Sequence, residues 1–182
     1  MTTETTPELA RTGTDADRDG PGAARDDAGL APWRSFLHAH ARLTRRLDEE
    51  LRAEHGLSLA EYDAMLQLAS APHRRLRMSV LADRVLLSRS GITRLVDRLV
   101  ADGMVERTAC RTDARGAEAA LTRAGLGRLR GASRTHLDGV QHYFLDVVDP
   151  SDRTVLQRVL DGVIEGLEST QTGPADVCAD DA

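Results

Sequence analysis

The sequence predicts a mainly α-helical chain that carries one small β-hairpin, and three observations predict it. Apolar residues recur three and four positions apart through most of residues 31–168, the spacing of one helix face. Start and stop signals separate those segments: Gly56, Ser58 with Glu61, Pro72, Ser88, Gly103 and Pro150. Only Val105–Cys110 and Ala117–Leu121 read as strands, two short runs joined by an arginine-rich tip in which Gly116 allows a turn.

The first helix is expected from Ala31 to about Glu54, with Trp33, Phe36, Leu37, Leu43, Leu47 and Leu51 on one stripe and His40 among them. So long an amphipathic helix at a domain edge usually packs on a partner. Gly56 ends it, and Ser58 and Glu61 form a capping box that starts a second helix. There Leu59, Tyr62, Met65, Leu66 and Ala69 point inward, and Pro72 closes the helix. A short extended piece follows, then a small helix with Val80, Leu81 and Val85 inward. Ser88 caps the next helix, which Gly103 stops. After the hairpin a long helix from Ala124 carries Leu126, Leu129, Leu137, Val140, Phe144 and Val147. Asp149 and Pro150 open the last one, striped by Leu156, Val159, Leu160, Val163, Ile164 and Leu167.

At 182 residues the chain fits a single domain with tails. With only five aromatic residues, its core must be mainly Leu, Val and Ala. Residues 1–30 and 169–182 lack apolar periodicity and are expected to be disordered acidic tails. No apolar run approaches the roughly 20 residues that span a bilayer, and "MTTETTPELART" lacks the basic flank and apolar stretch of a signal peptide, so a cytoplasmic protein is expected. Cys110 and Cys178 form no disulfide framework and have no partner at metal-ligand spacing. His38 with His40, and His136 with His142, are spaced so that a helix points them apart, so no metal is expected. No phosphate loop, nucleophile elbow or HExxH motif suggests an enzyme, and no cofactor is expected.

Charge is informative by segment. Residues 74–134 hold 14 arginines against six acids, net +8, in a chain of net charge −5. There is no lysine and no asparagine, which looks like coding bias, so the concentration of arginine matters more than its abundance. A basic middle between acidic ends suggests a patch that binds a polyanion.

The segment "SRSGITRLVDRL", Ser88–Leu99, sharpens this. At about 100° per residue, Ile92, Leu95, Val96 and Leu99 share one arc. Ser90, Arg94, Asp97 and Ala101 lie opposite, with Thr93 and Arg98 at the margins. A helix so anchored by its back offers hydroxyls and guanidinium groups at its front, and its N-terminus adds free amides and a positive dipole end suited to phosphate. Such groups reach base edges in a major groove about one helix wide. The small preceding helix and tight turn complete a helix-turn-helix. At the hairpin tip stand Arg111, Asp113 and Arg115; an arginine there suits a narrow minor groove, and Asp113 would hold Arg115 or a neighbour by a salt bridge.

The stretch "MSVLADRVLLSRSGITRLVDRLVADGMVERTACRTDARGAEAALTRAG" resembles the winged helix-turn-helix of MarR-family transcriptional regulators. The matching marks are Leu81-Ala82, Ser88 to Leu99, Gly103-x-Val105-x-Arg107, Asp113-x-Arg115 and Leu121-Thr122-x-x-Gly125. The resemblance covers roughly residues 31–168 and implies one such domain: dimerisation helices over 31–56 and 124–168, and a DNA-binding lobe over 57–123. It implies a homodimer on a pseudo-palindromic operator, acting as a repressor. Ser90, Thr93 and Arg94 resemble the major-groove readers, Arg115 the minor-groove wing arginine, and Ser88, Arg89, Gly91, Arg98, Arg111 and Asp113 complete the implied DNA-contacting set. Cys110 and Arg111 depart from the pattern, standing where prolines and acids are frequent.

The family often releases DNA when a small aromatic acid or phenol enters a cleft between its two lobes. The candidate contacts are Trp33, His40, Arg42, Tyr62 and His136, although a histidine on an apolar stripe is more often a satisfied core residue. Two alternatives stand beside this reading. One is a winged helix used as a protein-interaction module with acidic docking arms. The other is a thiol-based redox sensor through Cys110, set against the blander role of a small hydrophobe in a strand.

Overall fold

The computed structural model describes residues 29–109 and 117–171. The chain forms two units, one ending at His40 and one starting at Ala41. The described part of the first unit is a turn and the opening of helix α1 (Ala31–His55). All its side chains are exposed, including Trp33, Phe36 and Leu37. Its aromatic rings stack along the helix, Trp33 on Phe36 with centroids 6.0 Å apart and Phe36 on His40 at 6.1 Å.

In the second unit the rest of α1 buries Leu47 and Leu51. Gly56 leaves the helix at φ +64°, a conformation glycine adopts without a Cβ clash. Helix α2 (Leu59–Ser70) starts with the expected capping box: the Glu61 amide donates to Ser58 Oγ, and the Ser58 amide to Glu61 Oε2 at 2.9 Å. Asp48 of α1 adds an acceptor for the Leu59 amide at 2.8 Å, so three helix-start amides are satisfied. A single 3₁₀ turn, Pro72–Arg74, leads into strand β1 (Arg75–Arg77). Helices α3 (Met78–Arg84) and α4 (Arg89–Ala101) follow, then β2 (Val105–Ala109) and β3 (Ala117–Leu121).

The strands form a three-stranded antiparallel sheet in the order β1-β3-β2, with Val105 opposite Leu121, Ala109 opposite Ala117 and Leu76 opposite Ala119. The hairpin is thus larger by one strand than the sequence suggests. β1 is the piece read only as extended, because its pairing with Glu118–Ala120 is a long-range event that three residues do not announce.

Helix α5 (Arg123–Val140) is capped by Thr122, whose Oγ1 accepts from the Gly125 amide. At Gly125 the helix start presses on the sheet so closely that a Cβ would stand 2.1 Å from the Met104 carbonyl oxygen. The long helix expected to reach Val147 instead loosens into a π-helical segment, Gln141–Leu145. Helix α6 (Pro150–Gln171) begins where Asp149 accepts from the Ser151 amide, and it runs past the boundary expected at 168.

One core joins α1 through α5 and the sheet, built from Leu51, Leu57, Met65, Leu68, Leu81, Ile92, Leu95, Val96, Leu99, Val105, Leu121 and Leu129 with Tyr62. Burying each such leucine, valine or isoleucine contributes about 1.5–3 kcal/mol. Two residues expected inward are not: Leu66 and Val80 are exposed, because α2 and α3 turn those edges to the surface. On α6, Val155, Val159, Val163, Ile164 and Leu167 are also exposed, although the stripe itself is as expected.

Candidate nucleic-acid interface

Helix α4 has the two faces expected of it. Ile92, Leu95, Val96 and Leu99 are buried, and Arg89, Ser90, Thr93 and Arg94 are exposed. Ser88 Oγ accepts from the Gly91 amide at 3.1 Å and lies 3.2 Å from the Ser90 hydroxyl. Ser88 and Gly91 therefore build the helix start; a Cβ at Gly91 would come within 3.2 Å of the capping oxygen. Thr93 Oγ1 donates to the Arg89 carbonyl at 2.8 Å, which fixes the rotamer of an exposed side chain.

Arg98 is held differently from the other arginines of this helix. Its Nε donates to Glu61 Oε1 at 2.9 Å, and Nη1 reaches the Arg94 carbonyl. The capping-box glutamate of α2 thereby also ties down α4. Burial alone would push the Glu61 carboxyl up, but the Ser58 amide and the Arg98 guanidinium outweigh it and hold the group below its ordinary value. In this structure Arg98 is a brace between two helices.

Arg107 is a second brace, a role that the sequence motifs do not assign to it. From β2 its Nη2 donates to the Thr93 carbonyl at 3.3 Å and pairs with Asp97 at 3.2 Å, so the first wing strand is locked to α4. One signal was available. Alternation from buried Val105 puts position 107 on the same face of the strand, and an arginine facing inward needs a partner. β2 and β3 lead out to Ala109 and Ala117; Cys110, Arg111, Asp113 and Arg115 lie outside the described residues.

The effector candidates fall in both units. Trp33 and His40 belong to the exposed ring stack of the first unit. In the second, Arg42 is exposed, while Tyr62 is buried with its ring 4.5 Å from that of His136. Tyr62 donates to Ser133 Oγ at 3.5 Å. The Nδ1 atom of His136 is buried without a hydrogen-bond partner among the described residues. Burial lowers the pKa of His136, partly opposed by Asp63, whose own carboxyl burial pushes up. His55, which the sequence did not single out, lies 2.8 Å from Thr135 Oγ1 through Nε2, and Thr135 in turn donates to Glu54. Among the described residues no group of three metal-ligating side chains occurs, and no helix is long and apolar enough to cross a membrane.

A short helix, a tight turn and a second helix with a polar front, followed at once by an antiparallel hairpin braced to it, define a winged helix-turn-helix protein. Residues 55–116 match the MarR family. Solved structures agree over most of the chain. AbsC, a MarR family transcriptional regulator from Streptomyces coelicolor, is 31% identical with a TM-score of 0.73 over 79% of this chain and 96% of its own. Sco3205 from the same organism, a MarR family regulator solved in complex with DNA, is 34% identical with a TM-score of 0.73 over 78% and 92%. A MarR family regulator from Silicibacter pomeroyi is 32% identical with a TM-score of 0.64 over 79% and 98%. No curated protein matches the chain. The chain belongs to the MarR family of transcriptional regulators.

Proposed function

We propose that this protein is a homodimeric repressor that binds a pseudo-palindromic operator and releases it when a small aromatic acid or phenol binds. The observation that carries the DNA reading is the division of α4. Four buried aliphatic side chains fix its back, and Arg89, Ser90, Thr93 and Arg94 stand exposed around its capped N-terminus. Ser90, Thr93 and Arg94 read base edges in the major groove, while Arg89 and the helix-start amides near Ser88 and Gly91 meet phosphate. Arg98 acts through Glu61 by holding α4 in place. The wing residues Arg111, Asp113 and Arg115 are the further proposed DNA contacts, with Arg115 suited to the minor groove. The DNA-bound state of the similar Sco3205 supports the same use of this fold.

Dimerisation is supported by the apolar residues left exposed on the opening of α1 (Trp33, Phe36, Leu37) and on α6 (Val159, Val163, Ile164, Leu167). Each such set is covered by a second copy of the chain, since exposed stripes of this kind favour association. Two-fold symmetry then sets the two reading helices about 34 Å apart, one turn of DNA. For the effector, the Tyr62–His136 ring pair and the partnerless Nδ1 offer an aromatic contact and one polar anchor. Trp33, His40 and Arg42 are the further candidates.

The test is a fluorescence-anisotropy titration of the wild-type protein on a duplex enriched from a random library. Binding with an inverted-repeat preference, an affinity that falls steeply with salt and a dimer mass by light scattering are expected. Affinity independent of salt and sequence, or a monomer at micromolar concentration, refutes the reading. Benzoate and phenol serve as effector probes and are expected to weaken binding.

A further inference from the structure

Helices α3 and α4 end with the same pair of hydrogen bonds. After α4 the Gly103 amide donates to the Val100 carbonyl at 3.0 Å and the Met104 amide to the Leu99 carbonyl at 2.8 Å, with Gly103 at φ +70°. After α3 the Leu86 amide donates to the Asp83 carbonyl at 3.3 Å and the Leu87 amide to the Ala82 carbonyl at 2.9 Å, with Leu86 at φ +55°. The left-handed residue in this motif is usually glycine, because a Cβ there crowds the backbone. At 103 the chain follows that rule. At 86 it places a leucine in a strained conformation.

Packing does not account for the leucine. Its neighbours Val85 and Leu87 are partly buried against the core and supply the apolar contact that accompanies such a helix end. Leu86 itself is 92% exposed, the most exposed large apolar side chain among the described residues. It stands two positions before Ser88, the cap of α4, beside the exposed Arg89 and Ser90. The turn thus holds one isobutyl group outward at the start of the reading helix. In a major groove the apolar group within reach of a protein side chain is the thymine C5-methyl.

We propose that Leu86 is a specificity-determining residue that packs against a thymine methyl at the rim of the groove α4 enters; this rests on the DNA-binding reading above. Asparagine tolerates a positive φ far better than leucine and lacks the apolar branch. Leu86→Asn and Leu86→Gly should therefore melt at or above the wild-type temperature. On the duplex enriched by the wild-type protein, both should bind at least about fifteenfold more weakly, one methyl contact being lost in each half-site. Replacing thymines by deoxyuridine, one symmetric pair at a time, removes only the methyl groups. At one position it should weaken the wild type by about fourfold per half-site, the value of one buried methyl, and leave Leu86→Asn unchanged. Wild-type affinity in Leu86→Asn overturns the proposal. So does a loss that no deoxyuridine position reproduces, which means a sugar or phosphate contact, or a change in light-scattering mass, which means a contact between copies. The deoxyuridine scan uses wild-type protein and stands even if a variant folds poorly. If the wild type enriches no duplex at all, the DNA reading itself fails and this inference with it.

Discussion

Removing the Glu61 carboxylate should uncouple two helices at once. Its side chain is 12% exposed and accepts both from the Ser58 amide and from Arg98 Nε, each at 2.9 Å. Losing the first leaves a partly buried amide without its acceptor, costing about 1 kcal/mol. Losing the second removes an ion pair whose arginine is 59% exposed, so solvent screening limits it to about 0.5 kcal/mol. Glu61→Ala should therefore destabilise by about 1.5–2 kcal/mol, a fall in Tm of about 3–8 °C for a chain of this size. Glu61→Gln keeps an acceptor for Ser58 and should lose only about half as much, and a double-mutant cycle with Arg98→Ala should give a coupling of about 0.5 kcal/mol. The pH dependence follows from the lowered carboxyl. A depressed acid contributes fully above the pH where the unfolded carboxylate titrates, about 4.3, and the contribution is lost as pH falls through the lower folded value. Urea melts between pH 3 and pH 7 measure both effects. Equal losses for alanine and glutamine, or no coupling to Arg98, would refute the brace.

Gly125→Ala should cost about 2–3 kcal/mol by urea midpoint, because the new Cβ meets the Met104 carbonyl at 2.1 Å and the backbone must move; a neutral result would mean that α5 slides freely on the sheet. Arg94→Ala should relax specificity and cost about 1–3 kcal/mol on the enriched duplex, and equal losses on scrambled DNA would reduce Arg94 to a phosphate contact. Arg115→Ala should weaken binding on all sequences and lower the salt slope by about one, with Asp113→Ala milder and lysine at 115 an incomplete rescue; an unchanged slope removes the wing from the interface. His136 has a pKa lowered by burial, so its neutral form stabilises the fold above the unfolded value near 6.5 and that contribution is lost as pH falls through the lower folded value. His136→Phe should flatten stability over that range, and an unaltered pH profile in the variant would exclude His136 as the group responsible.

What the sequence determined by itself is mostly local. The Ser58–Glu61 box, the Ser88 cap, the stop at Gly103 and the start at Pro150 each involve residues no more than five apart, and all stand in the structure. The buried back of α4 is local too, since helical period alone sorts Ile92, Leu95, Val96 and Leu99 from Ser90 and Arg94. Tertiary structure decided what periodicity cannot reach. Arg98 stands at the margin of the polar face by its angle, yet meets a glutamate 37 residues away. Arg107 is tied to Asp97 and Thr93 across a strand–helix contact, and β1 enters the sheet only by pairing with β3. Leu86 reads as one more apolar residue in "VLLS", and only the backbone shows that the turn holds it outward. The physical reason is range: caps and periods are set by neighbours along the chain, whereas the partner of a long polar side chain, and the facing of an apolar one in a turn, are set by whichever elements the core brings together.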